Sequence, residues 1–559
     1  MKMDRRIFEG TVGRFALGGV LALAFLGLMM MVGGLHERAW AGPRKNLSNF
    51  GNRPNVVLIQ ADDLVRSDVR YMPNVQRYLT RGGTTFTNYN APYPLCGPAR
   101  ASLLTGQLAH NDHVLANFKA NDGGYYQLRD LPGKLSQKNS LGPWMHRAGY
   151  RTGFVGKFIN DYGTLDPTEI PPGWDSWKAL IDQSTYDYYN YAMNLNGKVR
   201  YWGDPDYAKQ QMNLGSIAAK DAPDTFAGFL ALFHQAFPVW DYFGWQRPKD
   251  YTMDVNGKMA NDFVKGSVKS RKPFFLYYAT PGPHAEDTNH LQGLRPGAPD
   301  PDPRPPKRYE HTFDDLQLPR PPDFNEADVS DKAANVKDLP LLTDSQIETV
   351  TASYRGRLGA VKSIDDQVGK IVKTLKKSGE LKNTLIIFNS DNGYLQGEHR
   401  LAASKFLPFE NSIRVPMVIR GPGIKAGRKL NGVSLDVDVT PTILKAAGAR
   451  PGRVMDGISL LGAARNRAKL PRRDIPMEAE RSVFKFTTPL TKFDLPFYGV
   501  KTGRYKYVHW SFGDIELYDM KKDPYELDNI AGDPGMAGVI GKLEAKAAAL
   551  QKCKGETCR

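Results

Sequence analysis

Four short apolar runs punctuate this chain, and each delivers polar residues just beyond its end. Asn55-Val56-Val57-Leu58-Ile59-Gln60 ends in Asp62-Asp63, and Thr152-Gly153-Phe154-Val155-Gly156 ends in Lys157. Pro273-Phe274-Phe275-Leu276-Tyr277-Tyr278-Ala279 leads to His284, and Thr384-Leu385-Ile386-Ile387-Phe388 leads to Asp391-Asn392. Short continuous apolar runs of this kind read as buried strands. Helical spacing fills the intervals. The longest such stretch covers Ser345 to Lys377, with Ser345 and Glu348 placed as a capping box and Gly379 as the stop. Strands alternating with helices predict an α/β fold, a sheet covered by helices on both faces. In open sheets of this class, sites form beyond the C-terminal strand ends, where all four polar groups fall.

The rest of the chain divides by composition. Residues 465–473 are basic and aperiodic and mark a boundary. Beyond them come strand-like pieces at 498–502, 505–510 and 516–519 and a final helix, which predict a small C-terminal α+β domain over 474–559. The main domain is expected over 42–464. Within it, residues 295–340 are proline-rich and read as a long surface loop. Residues 201–249 carry Trp202, Phe233, Phe237, Trp240 and Tyr242, and read as an insertion packed on the core, or as a lid or sugar-stacking rim.

Charge changes the picture only in part. The 559 residues carry a formal net charge of +16, which suits anionic partners, but the cations are scattered and no nucleic-acid-binding motif is present. Residues 1–41 read as an export signal. Lys2, Arg5 and Arg6 precede an apolar run from Phe15 to Leu35, and Ala39-Trp40-Ala41 offers a cleavage site. Asp4-Arg5-Arg6-Ile7-Phe8 resembles a twin-arginine signal. The expected location is therefore outside the cytoplasm of a bacterium: periplasmic, cell-surface or secreted, with an uncleaved signal anchor as the alternative. No later stretch is apolar enough to span a membrane. In an exported chain, Cys553 and Cys558 are expected to form a local disulfide closing the tail.

Asp62, Asp63, Asp391 and Asn392 offer only oxygen donors, which suit a hard divalent cation rather than zinc. Cys96 precedes Pro98, a residue suited to the first turn of a helix, so Cys96 is placed at a helix N-terminus. A buried free cysteine and a dipole-activated thiolate are both compatible with that position.

The stretch Cys96-Gly97-Pro98-Ala99-Arg100-Ala101-Ser102-Leu103-Leu104-Thr105-Gly106 resembles the sulfatase signature, in which the cysteine is oxidised to formylglycine. Similar motifs run from Asn55 to Asn529. Gly156-Lys157-Phe158-Ile159-Asn160-Asp161-Tyr162-Gly163, Tyr188-Tyr189-Asn190-Tyr191 and Ser390-Asp391-Asn392-Gly393-Tyr394 resemble the branch of N-acetylglucosamine-6-sulfatases and heparan endosulfatases. The resemblance implies a large mixed central sheet of alkaline-phosphatase type. It implies that Asp62, Asp63, Asp391, Asn392 and the modified Cys96 hold Ca2+, ahead of Mg2+ or Mn2+. The hydrated aldehyde would attack sulfur, the alcohol would leave, and the second hydroxyl would expel sulfate. Arg100 would orient the hydrate, Lys157 and Lys405 would bind sulfate oxygens, and His284 would protonate the leaving alcohol. Many sulfatases carry a histidine two or three residues after the strand-end lysine; here Ile159 and Asn160 stand there, so Asn160 is expected to contact the hydrate or substrate. His399, near Lys405, is the weakest candidate.

The sequence therefore points to a hydrolase of sulfate monoesters on sulfated sugars or glycosaminoglycan-type substrates, with a formylglycine-generating enzyme as its partner. A phosphate or phosphonate monoester hydrolase of the same superfamily and a non-catalytic sulfated-glycan-binding protein are the alternatives.

Overall fold

The four apolar runs become four adjacent parallel strands. In spatial order they are Thr384–Ser390, Asn55–Ala61, Phe274–Ala279 and Arg151–Gly156. The structure is a computed structural model and describes residues 53–118, 123–129, 137–206, 208–209, 212, 248–270, 272–286, 303–479 and 496–559. The export-signal reading of 1–41 and most of the aromatic stretch 201–249 lie outside them. Ser176–Leu180 extends the parallel set, and the hairpin Tyr191–Leu195 and Lys198–Trp202 adds two antiparallel strands at that edge. At the other edge Met417–Arg420 runs antiparallel, followed by Thr84–Phe86 and Arg428–Leu430, completing a mixed ten-stranded sheet.

The central strands alternate between two cores, as the pleat requires. Val56 and Leu58 face one layer with Ala101, Leu104, Trp144 and Ile443. Val57 and Ile59 face the other, with Phe263, Ile364, Val368 and Ile371. The first layer contains the helices Cys96–Thr105, Leu141–Arg147 and Val439–Ala447. The second contains Thr252–Ser267 and Asp344–Lys377.

The long helix starts earlier than its sequence pattern suggests. Thr343, not Ser345, is the N-cap: its hydroxyl accepts from Gln346 N at 3.3 Å, and Gln346 Oε1 accepts from Thr343 N at 2.9 Å. Both pairings obey the same Ser/Thr-x-x-Glu/Gln rule. The extended backbone of Thr343, with φ −74° and ψ 161°, decides the register. Gly379 ends the helix in the left-handed region at φ 78°.

Ile475–Ala479, Phe497–Lys501, Tyr505–Trp510 and Ile515–Asp519 form a separate antiparallel sheet in chain order. The helix Ala537–Leu550 covers one face through Val500, Tyr507, Leu517 and Leu543. On the other face, Met477, Phe497 and Trp510 share a core with Tyr93, Leu95, Phe406 and Phe409 of the main body. The described part of the proline-rich stretch, 303–340, holds only one short turn of regular structure, Lys307–Tyr309. Val329 and Val336 within it are nevertheless buried, and Glu516 Oε1 accepts from Ala333 N at 2.9 Å. Cys553 and Cys558 form a disulfide. Among the described residues no helix is long and apolar enough to cross a membrane.

His110 fastens this second sheet to the turn after the Cys96 helix. Its Nδ1 lies 2.6 Å from Glu478 Oε2 and its Nε2 3.0 Å from the carbonyl of Cys553. Burial opposes a charge on the ring, but the hydrogen bond and charge of Glu478 push its pKa up to about 9. A folded-state pKa above the ordinary value of about 6.5 stabilises the fold fully below that ordinary value and loses its effect as pH rises through 9. Urea unfolding from pH 6 to pH 10 is therefore expected to show a loss of stability across that window, and His110→Gln should flatten that part of the profile.

Candidate active site

The parallel register brings the four strand ends to one level. Asp391 N donates to Ala61 O at 3.3 Å, Asp62 N to Gly282 O at 3.1 Å, and Lys157 N to Ala279 O at 2.8 Å. Gly156 makes the last contact possible: its φ is 109°, and a Cβ there would fall 1.9 Å from the Ala279 carbonyl. Cys96 is the first residue of its helix, with Leu95 extended before it. Gly97 N donates to Asn117 Oδ1 at 2.8 Å, where a Cβ on residue 97 would collide with the same oxygen at 2.8 Å.

Arg100, one turn along, reaches back under Cys96. Its Nε lies 2.7 Å from Asp391 Oδ2, its Nη2 3.2 Å from Asp62 Oδ2, and its Nη1 2.8 Å from Lys157 O. Lys157 Nζ bonds the same Asp62 oxygen. Lys405 Nζ sits 2.8 Å and 2.9 Å from the two oxygens of Asp63 and 3.0 Å from Cys96 Sγ. Cys96 Sγ is 3.5 Å from Asp62 Oδ1. His284 Nδ1 lies 2.6 Å from the carbonyl of Ala285, which assigns the ring proton to Nδ1 and leaves Nε2 facing Asp63 Oδ2 at 3.7 Å. Asn392 Nδ2 donates to Asp63 Oδ1 at 2.6 Å.

Nine sequence-selected residues thus converge: Asp62, Asp63, Cys96, Arg100, Lys157, His284, Asp391, Asn392 and Lys405. Asn160 touches the cluster through Tyr186, whose hydroxyl accepts from Asn160 Nδ2 at 2.9 Å. Tyr186 went unnoticed in the sequence, where nothing marks it. Its ring stacks on His284 at 4.0 Å between centroids, and Lys157 Nζ lies 4.6 Å from its centre. Arg357, on the inner face of the long helix, was also missed; no local pattern marks it. His399 stays outside, stacked on Phe409 with Nδ1 2.6 Å from Glu326.

The floor is dry and charged. Asp62, Asp63 and Asp391 have relative exposures of 0%, 1% and 0%. Burial pushes each carboxyl up. For Asp62, the charges of Lys157 and Arg100 outweigh it, and for Asp63 those of Lys405 and Arg357 do; both end below the ordinary carboxylate value. Asp391 ends above it, because Asp62 adds repulsion to burial. Burial and then Asp62 push the Cys96 thiol up to about 12. Burial and Lys405 hold His284 well below the usual histidine value, so its ring is neutral.

This buried acidic cluster could hold a divalent metal ion. Ligand atoms of Asp62, Asp63, Cys96 and His284 lie within 4.8 Å of one another, and buried Asn392 Oδ1 has no hydrogen-bond partner. The family model for Sulfatase matches residues 54–449 and takes in every one of these positions. The chain belongs to the sulfatase family. A second model, N-sulphoglucosamine sulphohydrolase, C-terminal, matches residues 397–553 of the sulfatase. The N-acetylglucosamine-6-sulfatase of Homo sapiens is 30% identical, over 91% of this chain and 86% of its own. An arylsulfatase of Volvox carteri is also 30% identical, over 90% of this chain and 76% of its own. Among solved structures, one in complex with its substrate D-glucosamine-2-N,6-O-disulfate has a TM-score of 0.65 at 22% identity, covering 90% of this chain and 98% of that one. The phosphonate monoester hydrolase of Agrobacterium radiobacter has a TM-score of 0.61 at 22% identity, covering 89% and 95%. The fold is thus shared across ester classes, while the family match makes this sulfatase a sulfuric ester hydrolase.

Removing Arg100 exposes how the floor is balanced. Arg100→Met keeps most of the volume but leaves Asp62 and Asp391 facing each other without their shared cation. Urea unfolding of the metal-free protein is expected to show a loss of about 3–5 kcal/mol.

Proposed function

We propose that this sulfatase is an exported hydrolase of sulfate monoesters on sulfated sugars, that Cys96 works after oxidation to formylglycine, and that the cation of the site is Ca2+. Asp62, Asp63, Asp391, Asn392 and the modified Cys96 would hold that ion. The observation that carries the reading is the setting of Cys96: a buried side chain at a helix N-terminus, with Sγ 3.5 Å from Asp62 Oδ1 and 3.0 Å from Lys405 Nζ. Such a setting suits a side chain converted to an oxygen nucleophile. The oxygen donors of Asp62, Asp63, Asp391 and Asn392, with Asn392 Oδ1 lacking a hydrogen-bond partner, support calcium over softer ions. Export is supported by the basic and apolar pattern of residues 1–41 and by relatives described as extracellular sulfatases.

A cation held there would supply positive charge against the sulfate oxygens, and Cys96, once oxidised and hydrated, would supply the attacking oxygen. This chain's own residues do the rest. Lys157 and Lys405 face the sulfate oxygens and neutralise charge that builds as the ester bond breaks. Arg100 fixes Asp62 and Asp391, and its helix fixes Cys96. His284 handles the proton of the leaving alcohol at Nε2. With Nδ1 donating to Ala285 O, Nε2 is the atom that would take the proton lost by the attacking hydroxyl of the Cys96 hydrate and pass it to the leaving alcohol oxygen. Tyr186 holds the His284 ring flat and lies beneath Lys157. Asn160 holds Tyr186 in turn.

The first test is the mass of the proteolytic peptide carrying Cys96 from protein made in its native host, where formylglycine is expected. Cys96→Ala should fold normally and show no turnover. His284→Ala should lower kcat by about 10²–10⁴-fold. Chelation should abolish activity and calcium restore it. Sulfate and phosphate esters of one alcohol should be compared directly; faster hydrolysis of the phosphate ester would refute the sulfate reading and favour the phosphate or phosphonate class.

A further inference from the structure

One buried cation touches all three loops of the site without belonging to any of them. Arg357 lies midway along Asp344–Lys377 with 0% exposure. Its Nη2 donates to the carbonyl of Asp63 at 2.5 Å, and its Nη1 donates to the carbonyl of Pro283 at 2.8 Å. Its guanidinium carbon lies 4.3 Å from the centre of the Tyr394 ring, two residues past Asn392. The Asp62-Asp63 loop, the His284 turn and the Asp391-Asn392 loop are therefore gathered on one planar group.

Packing alone does not call for arginine here. Among the described residues no carboxylate lies in ion-pair contact with Arg357, although its charge acts on Asp63 and on buried Asp68, and its Nε has no hydrogen-bond partner. Burying a guanidinium on backbone carbonyls is costly, and a methionine would fill much of the same space. Arginine alone offers two donors in a rigid fork, able to fix the separation of two carbonyls. One of those carbonyls belongs to a strained residue. Asp63 has φ 61°, in the left-handed region that non-glycine residues enter uncommonly. That conformation turns its carboxylate toward Lys405, Asn392 and His284.

We infer that Arg357 is a positioning residue: by clamping the carbonyls of Asp63 and Pro283 it holds the Asp63 carboxylate and the His284 ring at their working separation. The inference rests on the reading of this site proposed above. It concerns geometry, so ion binding should report it even in protein whose Cys96 is unconverted.

Full-length Arg357→Met and Arg357→Lys provide the test. Calcium affinity is titrated by calorimetry, and kcat and KM are measured on a sulfate monoester, at a temperature below the melting transition of each variant. Arg357→Met should lose about 10–100-fold in calcium affinity and a similar factor in kcat, with KM changed by less than about threefold. Arg357→Lys can reach one carbonyl but not both, and should fall between. Wild-type calcium affinity in the folded methionine variant overturns the inference, as does a fall in kcat that matches its unfolded fraction. If the methionine variant does not fold, the lysine variant is judged by the same criteria. A wild-type protein that binds calcium but leaves every sulfate monoester intact would sink the functional reading. A calcium loss in the variants would still support the clamp.

Discussion

Three carboxylates on neighbouring strand ends, shut away from water, repel one another too strongly to stay ionised alone. Arg100 resolves this by bonding Asp62 and Asp391 at once. Much else follows from that bridge. The guanidinium can reach both carboxylates only from a helix that starts directly above the strand ends, and its position one turn along brings Cys96 to the edge of the same cluster. Lys157 enters from the end of Arg151–Gly156, two strands away, to take the remaining charge of Asp62, and Lys405 enters from a distant loop to take that of Asp63. Charge balance, strand order and placement of the reactive side chain are thus one arrangement.

The frame of that arrangement was readable because strands buried on both faces leave unbroken apolar runs, and the residues that matter sit a few positions past their ends. Asp62, Lys157, His284 and Asp391 all share this grammar. The signature around Cys96 located the helix directly. Other features left no local trace. Tyr186 acquires meaning only when the turn after Ser176–Leu180 lands on His284, a contact between residues far apart in sequence. The start of the long helix slipped by two residues because two overlapping Ser/Thr-x-x-Glu/Gln pairs satisfy the same rule, and only the backbone of Thr343 chooses between them. Arg357 lies among residues whose pattern says nothing about what the inner face of the helix will meet.

The C-terminal sheet reads in sequence as a separate small unit, yet its lysines reach into the main body. Glu410, five residues beyond Lys405, pairs with Lys501 at 2.5 Å and Lys506 at 3.1 Å. Glu526 accepts from Lys506 at 2.5 Å and from Glu410 N at 2.8 Å. Burial would favour neutral groups, but this mutual pairing holds Glu410 well below the ordinary carboxylate value. The loop that presents Lys405 to the site is therefore anchored on strands formed near the end of the chain.

The burial of Cys96 also sets a schedule. With no exposed surface, its side chain is out of reach of any enzyme once the sheet has closed. On the proposed chemistry, oxidation and folding then race for the same molecules, and the active fraction of a preparation reports the ratio of two rates rather than an affinity. The topology gives oxidation time. Asn55 pairs with Thr384 and Val56 with Phe275, so the walls around Cys96 cannot close until distant segments of chain have met, and such non-local pairing is slow. On that chemistry, a variant that folds faster would be less active without any change at the site itself.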